Sequence, residues 1–477
     1  MPLIANGGIQ MTGLFGVVGA ANVMDRIFYG TDYHSHLGTK YGGIAYIDDK
    51  DDPQKEIHDI SNAQFKSKFE DLMKAIPTRM GIGVISDRDP QPLTFVSKFG
   101  PFAVCMNGLI INKDELKDRM IAEGTNFSEV YHGEINQADL VANLINKKGS
   151  IPEGIAHMWD MIDGSASLLV LTPEGIYAAR DSRGVSPLAI ATDGSTWAVA
   201  SESSAFPNLG YKMHSGIRPG EVVLMTPEGP RTILGGSAGK NICSFLWIYT
   251  GFPASSYEGI NVEVVRENSG RFLAKRDTIE ADLVAGVPDS GTAHAIGYAM
   301  ESGIPYRRVL MKYTPGYGRS YTPLTQVERD RVATLKLIPN ADTIRGNRIV
   351  LCEDSIVRGT QLKNFTVNKL REAGAREVHV RPACPPLMFP CRYMLSTRNI
   401  SELAARRAII ALEGKEPSDL SQYIDHRSEK YRTMVDWIRK DLGLDSLQYQ
   451  RLEDMIEAIG LPRSDLCLYC WTGKEAN

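Results

Sequence analysis

The 477-residue chain has no apolar run approaching the length that spans a bilayer, which excludes a helical membrane protein. It also has no basic excess. Lys and Arg number 53 against 57 Asp and Glu, a formal net charge of −4, which argues against a nucleic-acid partner because no surplus cation exists to neutralise a phosphate backbone. The opening MPLIANGGIQ carries no basic residue and only a short apolar stretch, so a secretory signal is not expected. Cysteine is scarce: seven in a chain this long do not form a disulfide framework, and their odd number suits thiols or metal ligands. No long-period repeat and no low-complexity tract occurs. What remains is an ordinary globular composition, 43% hydrophobic and 23% charged, with length for roughly two to four domains and a cytoplasmic location expected.

The first half reads as β-rich, with short apolar runs at 13–19, 43–47, 81–85 and 102–105. Two hairpins share one turn chemistry: 168–171 and 176–179 flank Thr172-Pro173-Glu174-Gly175, and 222–225 and 231–234 flank Thr226-Pro227-Glu228-Gly229. Proline presets the turn and glycine supplies positive φ. Helices are expected at 64–74 and 138–147, and a linker at 235–239, GGSAG. Beyond it the pattern changes. Strands at 282–286, 348–351 and 377–380 alternate with helices at 292–301 and 361–373, the latter stopped by Gly374, which implies βαβ units and a parallel sheet. Two amphipathic helices, 402–412 and 429–442, complete the chain.

The most informative stretch is IVLCEDSIVRGTQ at 349–361. A buried strand leads into adjacent carboxylates, Glu353 and Asp354, and then into a turn-prone loop that opens a helix. Such a loop points backbone N–H groups at a phosphate, and the helix N-terminus favours its charge. The carboxylates can hold ribose hydroxyls or magnesium. A second loop, Pro288-Asp289-Ser290-Gly291, also follows a strand, and ligands in open α/β sheets bind beyond the carboxyl ends of strands. Either loop alone also reads as a plain βα turn, with the acidic pair capping a helix. The combination points to a sugar phosphate.

These residues resemble the phosphoribosyl pyrophosphate motif of type I phosphoribosyltransferases, and DSIVRGT in particular resembles the amidophosphoribosyltransferase family, which opens purine synthesis. GVPDSG at 286–291 is similar to that family's pyrophosphate loop, and YGRSY at 317–321 to its loop over the substrate; VHVRPACPPLMFPC, ending at Cys391, is also close. The resemblance implies an α+β N-terminal hydrolase-like domain of αββα layering over 12–234, an α/β phosphoribosyltransferase domain over 243–410, and a helical tail over 411–477 that closes back on a cluster site. It implies that ammonia attacks the anomeric carbon of phosphoribosyl pyrophosphate while magnesium-bound pyrophosphate leaves. Glu353 and Asp354 would hold ribose and metal, with Asp289, Ser290 and Gly291 at the metal–pyrophosphate end. Ser355, Ile356, Val357, Arg358, Gly359 and Thr360 would cradle the 5-phosphate. Arg319 and Lys336 would neutralise the departing pyrophosphate, and Lys312, like Lys336, lies where the family places a basic residue. Glu353 departs from the family's usual aspartate by one methylene. Purine nucleotide effectors and a homodimer or homotetramer are further implications.

CxxC at Cys467 and Cys470 fits zinc, a redox pair or an iron–sulfur corner. Spacing does not group it with Cys243 or Cys391; the resemblance does, because one branch of the family binds a 4Fe–4S cluster at these four places. Structural zinc and unliganded thiols stand as alternatives. Cys105, Cys352 and Cys384 lie in apolar runs and read as small core residues.

TGLFGVVGA at 12–20 and GTDYHSHLGTKYGGIA at 30–45 resemble the opening of class II glutamine amidotransferases, in which an N-terminal cysteine attacks the glutamine amide. Here Thr12 stands at the cysteine position, Leu37 at an arginine expected to grip the glutamine carboxylate, and Gln137 at an aspartate expected to bind its amine. Leucine cannot form the bidentate carboxylate pair. Asn107 and Gly108 match the oxyanion-hole pair. Removal of residues 1–11 would expose Thr12 as a nucleophile, though a hydroxyl is weaker than a thiol. His34 and His36 read as surface or hydrogen-bonded residues. Three functions stay open: an amidophosphoribosyltransferase fed by free or partner-delivered ammonia, a phosphoribosyltransferase with another nucleophile, and a non-catalytic sensor of phosphoribosyl pyrophosphate or nucleotides.

Overall fold

The structure is a computed structural model that describes residues 11–131, 133–237, 239–313, 337–360, 362–394 and 399–474. Two antiparallel sheets form the first half. One runs Lys212–Gly216, Ala189–Thr192, Thr196–Ala200, Thr12–Gly19, Met80–Ser86, Tyr41–Ile47, Pro53–Asp59; the other runs Gly229–Leu234, Val222–Thr226, Gly175–Ala179, Gly164–Thr172, Gly100–Ile110, Leu93–Ser97. Strand parity sets the layers. Leu14 and Val18 pack against Leu169, Leu171, Ile176 and Met225 between the sheets. Phe15 and Val17 point the other way, onto Ile27, Phe28, Phe65 and Phe69 of helices Met24–Asp32 and Phe65–Ala75. On the far side Leu168 and Val170 meet Leu140, Val141, Ile155 and Met158 of helices Gln137–Ile145 and Ile151–Met161. The result is helix, sheet, sheet, helix, the αββα order that the resemblance implies. Because Thr12–Gly19 is buried along its whole length, its sequence is a continuous apolar run without polar alternation.

The second half is built on a parallel sheet in the order Leu283–Gly286, Arg348–Glu353, Glu377–Pro382, Ser446–Leu447. Its two faces are again apolar: Leu283, Ala285, Ile349, Leu351, Val378 and Val380 on one side, Val284, Val350 and Cys352 on the other. Helices Val262–Lys275 and Thr292–Ser302 cross at backbone contact, since a Cβ on Gly270 would meet the His294 carbonyl oxygen at 1.9 Å and one on Gly297 the Glu267 carbonyl oxygen at 1.9 Å. The segment beyond residue 411 does more than add helices. It supplies the edge strand Ser446–Leu447 and the short strand Leu466–Cys467, which pairs in parallel with Ile242–Cys243.

A third core ties the halves together. Met11, Leu37 and Val185 of the first half are buried with Trp247, Cys384, Tyr393, Met394 and Trp471 of the second. Beside it the buried carboxylate of Glu202 accepts hydrogen bonds from the Tyr257 hydroxyl at 2.7 Å, the Phe252 N–H at 3.3 Å and the Ser255 hydroxyl, and lies 3.2 Å from His36 Nε2. Among the described residues no helix is long and apolar enough to cross a membrane.

Candidate active site

Strands Leu283–Gly286 and Arg348–Glu353 are adjacent and parallel, so the loops that follow them emerge side by side. They touch through backbone. The Val287 N–H donates to the Cys352 carbonyl at 3.0 Å, and a Cβ on Gly291 would sit 2.1 Å from that same oxygen, so only glycine fits. The peptide between Pro288 and Asp289 is cis. This contact brings the Ser290 hydroxyl to within 3.2 Å of Glu353 Oε1. Asp354 is buried, and its Oδ2 accepts from the Ser355 hydroxyl at 2.6 Å. Glu353 Oε2 is enclosed, with no hydrogen-bond partner among the described residues. Burial, then the neighbouring charge of Asp354 and a hydrogen bond shared with it, hold the Glu353 carboxyl well above its ordinary pKa. Two carboxylates so placed need a cation or hydroxyl donors to ionise together. An orphaned carboxylate oxygen beside a serine hydroxyl suits magnesium and the vicinal hydroxyls of a ribose.

The next loop completes an anion cradle. Among the described residues the N–H groups of Val357, Arg358, Gly359 and Thr360 have no acceptor. Gly359 carries φ of 75°, Ile356 anchors the loop in the core below the sheet, and the Val357 carbonyl accepts from the Ala404 N–H at 2.7 Å. Arg358 is tied to Glu402 at 2.8 Å. The following helix opens with wide turns at Leu362–Val367 before becoming regular at Asn368–Glu372, where the sequence predicted one uniform helix. Lys312 reaches the pyrophosphate-type loop, its Nζ 2.8 Å from Asp289 Oδ2. Arg319 and Lys336 lie outside the described residues.

Sequence reasoning overlooked two residues behind this site. Arg266, buried on Val262–Lys275, donates Nε to the Trp247 carbonyl and Nη2 to the Tyr249 and Gly251 carbonyls, each at 2.8 Å, and Asp354 is its leading electrostatic attractor. His294, buried on the helix after Gly291, has Nδ1 3.0 Å from the Arg266 carbonyl oxygen and Nε2 3.2 Å from that of Ile248. The signal available was a lone basic residue within VEVVRENSG and a lone histidine within an apolar helix face. Both read equally well as solvent-facing.

The four cysteines gather in the core between the halves. Cys243 and Cys467 are register partners, the Met388 and Phe389 N–H groups both donate to the Cys470 carbonyl, at 2.9 and 3.0 Å, and Phe245 stacks on Trp471 at 5.1 Å. A hydrogen bond to Cys391, burial, and the nearness of Cys391, Cys467 and Cys243 raise the Cys470 thiol well above its ordinary pKa; burial and Cys467 and Cys391 do the same for Cys243. No group of three or more ligating side chains stands at coordinating separation among the described residues. The donor set is nonetheless four thiols near enough to perturb one another, two buried and two partly so, which suits a soft metal or an iron–sulfur cluster.

The glutamine-side residues are placed differently. Thr12 is buried opposite Ser86 in the central strand, with the Met11 carbonyl before it accepting from the Asp87 N–H at 3.3 Å. Leu37 is enclosed in the apolar core shared with the second half, so the residue standing where an arginine was expected packs as a hydrophobe. The Gln137 amide is engaged at both ends: Oε1 accepts from the Ile110 N–H at 2.8 Å and Nε2 donates to Asp89 at 3.2 Å. Asn107 is buried with Nδ2 3.5 Å from the Ser186 hydroxyl, and Gly108 adopts φ of 145° where a Cβ would strike the Ser165 carbonyl. His34 is buried, with Nδ1 2.8 Å from the Gly30 carbonyl oxygen, and is not a surface residue.

Known proteins sharing this arrangement are similar along nearly the whole chain. Residues 77–208 match the model of a glutamine amidotransferase domain. The amidophosphoribosyltransferase of Methanocaldococcus jannaschii is 32% identical, over 97% of this chain and 97% of that protein, and the Bacillus subtilis amidophosphoribosyltransferase is 31% identical, over 97% and 93%. The solved structure of glutamine phosphoribosylpyrophosphate amidotransferase from B. subtilis, complexed with ADP and GMP, superposes with a TM-score of 0.82 at 31% identity, covering 97% of this chain and 96% of that one. A second, described as the allosteric regulatory enzyme of purine biosynthesis, superposes with the same TM-score of 0.82 at 30% identity, covering 98% and 97%.

The buried histidines carry a pH dependence. Burial lowers His34 from 6.5 to about 4, and burial and Arg266 lower His294 to about 3. Between the unfolded value of 6.5 and these folded values the unfolded chain binds more protons, so stability falls as pH falls through that window. Urea midpoints measured from pH 7.5 to 5 should therefore decline, and His34→Gln should flatten part of the decline. Parallel profiles for the two proteins would remove His34 from the account.

Proposed function

The chain belongs to the amidophosphoribosyltransferase family, and from that premise we propose how its residues divide the reaction. It is a pentosyltransferase for the first step of purine biosynthesis: ammonia attacks the anomeric carbon of phosphoribosyl pyrophosphate, the bond to pyrophosphate breaks, and phosphoribosylamine forms with loss of a proton. The observation that carries this reading is the meeting of Ser290, Glu353 and Asp354 beyond two adjacent parallel strands, beside the unpaired N–H groups of 357–360. Glu353 and Asp354 hold the ribose hydroxyls, Ser355 to Thr360 hold the 5-phosphate, and Asp289, Ser290, Gly291 and Lys312 face the pyrophosphate; the family resemblance assigns Arg319 and Lys336, which lie outside the described residues, to the same anion. Ser290, Glu353 and Asp354 would hold magnesium, which when bound would neutralise charge on the leaving pyrophosphate. The division of labour follows the boundaries 12–234, 243–410 and 411–477, in a cytoplasmic homo-oligomer responsive to purine nucleotides.

Ammonia, not glutamine, is the working nitrogen source. Leu37 is sealed in apolar core and Gln137 is committed to Ile110 and Asp89, so neither is disposed to hold a glutamine carboxylate or amine. Asn107 and Gly108 retain an oxyanion-type pair without a placed substrate, and Thr12 follows a buried Met11. Cys243, Cys391, Cys467 and Cys470 would hold a 4Fe–4S cluster, which when bound would fasten the end of the chain to the segment after the linker.

Purified protein with phosphoribosyl pyrophosphate and magnesium should release pyrophosphate when ammonium is added, and glutamine should support roughly a tenth of that rate or less. Equal rates would overturn the reading of Thr12, Leu37 and Gln137; substrate binding without turnover on either donor would make the protein a sensor. Anaerobic preparations should contain iron and acid-labile sulfide, with Cys470→Ser losing both and melting at lower temperature. Zinc without sulfide would reject the cluster.

A further inference from the structure

Segment 252–258 belongs to the second half by sequence, yet its polar groups are held by the first. It lies between the wide turn Leu246–Thr250 and helix Val262–Lys275. Three consecutive residues, Glu202, Ser203 and Ser204, pin it like a strap. The buried Glu202 carboxylate accepts from the Phe252 N–H at 3.3 Å, the Tyr257 hydroxyl at 2.7 Å and the Ser255 hydroxyl. Ser203 Oγ accepts from the Ser256 N–H at 2.8 Å and donates to the Ser256 carbonyl at 3.2 Å. The Ser204 N–H donates to Ser255 Oγ at 3.2 Å. A second tie closes the far end. Glu258, in the left-handed region at φ of 51°, accepts from the buried Arg180 guanidinium of the first half at 2.7 Å and from Lys240 at 2.6 Å. Removing one partner of a buried charged contact leaves the other unpaired out of water, so these ties are stiff.

The strap leads back to the acceptor site. Asn261 follows it and caps helix Val262–Lys275, its Oδ1 accepting from the Val264 N–H at 3.1 Å. One turn further, Arg266 folds back onto the Trp247, Tyr249 and Gly251 carbonyls, the residues from which the strap departs. Carbonyls solvate a guanidinium without cancelling its charge, and Arg266 has no carboxylate hydrogen bond among the described residues. Its charge is left to Asp354. The Arg266 carbonyl in turn lies 3.0 Å from His294 Nδ1, on the helix that follows Gly291. Moving the strap therefore moves the carbonyl cage, the charge behind Asp354 and the helix behind the pyrophosphate-type loop. We infer that Glu202 is a positioning residue for the phosphoribosyl transfer, acting through strap 252–258 and Arg266 on Asp354. This rests on the assignment of the loops at 288–291 and 353–360 to phosphoribosyl pyrophosphate. None of the hydrogen-bond partners of Glu202 lies in those loops, and the role draws on no glutamine chemistry.

Steady-state rates with ammonium and magnesium, at varied phosphoribosyl pyrophosphate, test it together with hydrogen exchange. Glu202→Ala should raise KM for phosphoribosyl pyrophosphate by about tenfold with kcat nearly unchanged, because a displaced charge weakens ground and transition states alike. Glu202→Gln, which keeps an acceptor oxygen, should recover most of that loss. Exchange in Glu202→Ala should quicken across 247–266 and stay unchanged in helices Gln137–Ile145 and Ile151–Met161. Combined with Arg266→Lys, Glu202→Ala should cost less in kcat/KM than the product of the two separate losses, since both break one path. Should Glu202→Ala fail to fold, Tyr257→Phe, which removes a single donor, carries the same cycle. Independent losses in the cycle, or an unchanged KM despite faster exchange, would overturn the inference. A natural protein that turns over with neither ammonium nor glutamine would instead overturn the proposed function, on which the inference depends.

Discussion

Two carboxylates that cannot easily ionise together organise the second half of this protein. Glu353 and Asp354 close a buried parallel strand, and burial with mutual repulsion keeps the Glu353 carboxyl well above its ordinary pKa. Everything nearby supplies what such a pair needs. The glycine-dependent backbone contact at Gly291 delivers the Ser290 hydroxyl, the following loop presents unpaired N–H groups, and Arg266 sets a buried positive charge behind Asp354. Under the proposed function, a sugar carrying phosphates at both ends, together with magnesium, would meet these demands at once.

The first half serves this site through packing. Leu37 and Met11 are part of the same core as Trp247 and the cysteines, and Glu202 gathers three donors from the segment after the linker. That segment is in turn held by Arg266, whose carbonyl faces His294 on the helix that follows the pyrophosphate-type loop. The first half is thereby packed as the platform against which the second half is built. Leu37 fits this role, an apolar side chain buried in the core that the two halves share.

Much of this was legible from the amino acids. The alternation of strands and helices after residue 240 and the apolar runs before it gave the two architectures, because buried strands announce themselves as continuous Val, Ile and Leu. Polar edge strands did not: Pro53–Asp59 and Lys212–Gly216 carry mostly exposed, charged or small residues, and nothing local separates them from loops. The tail read as helix because two residues, Ser446 and Leu447, are too few to show a strand period. In the site, the motif residues were found by their order along the chain, whereas Arg266, His294 and Glu202 act through partners 15 to 55 positions away, a separation that no pattern along the sequence records. The grouping of the four cysteines depended on resemblance for the same reason, and the pairing of Cys243 with Cys467 supplies its physical basis.

The central claim is that Glu353 and Asp354 form a magnesium-dependent site for phosphoribosyl pyrophosphate that works without glutamine hydrolysis. Calorimetric titration of phosphoribosyl pyrophosphate tests it directly, in the presence and absence of magnesium, for the natural protein and Asp354→Ala. The account predicts tight binding only with magnesium and an affinity at least about tenfold weaker in the variant. Binding that ignores magnesium, or that Asp354→Ala leaves unchanged, would contradict it.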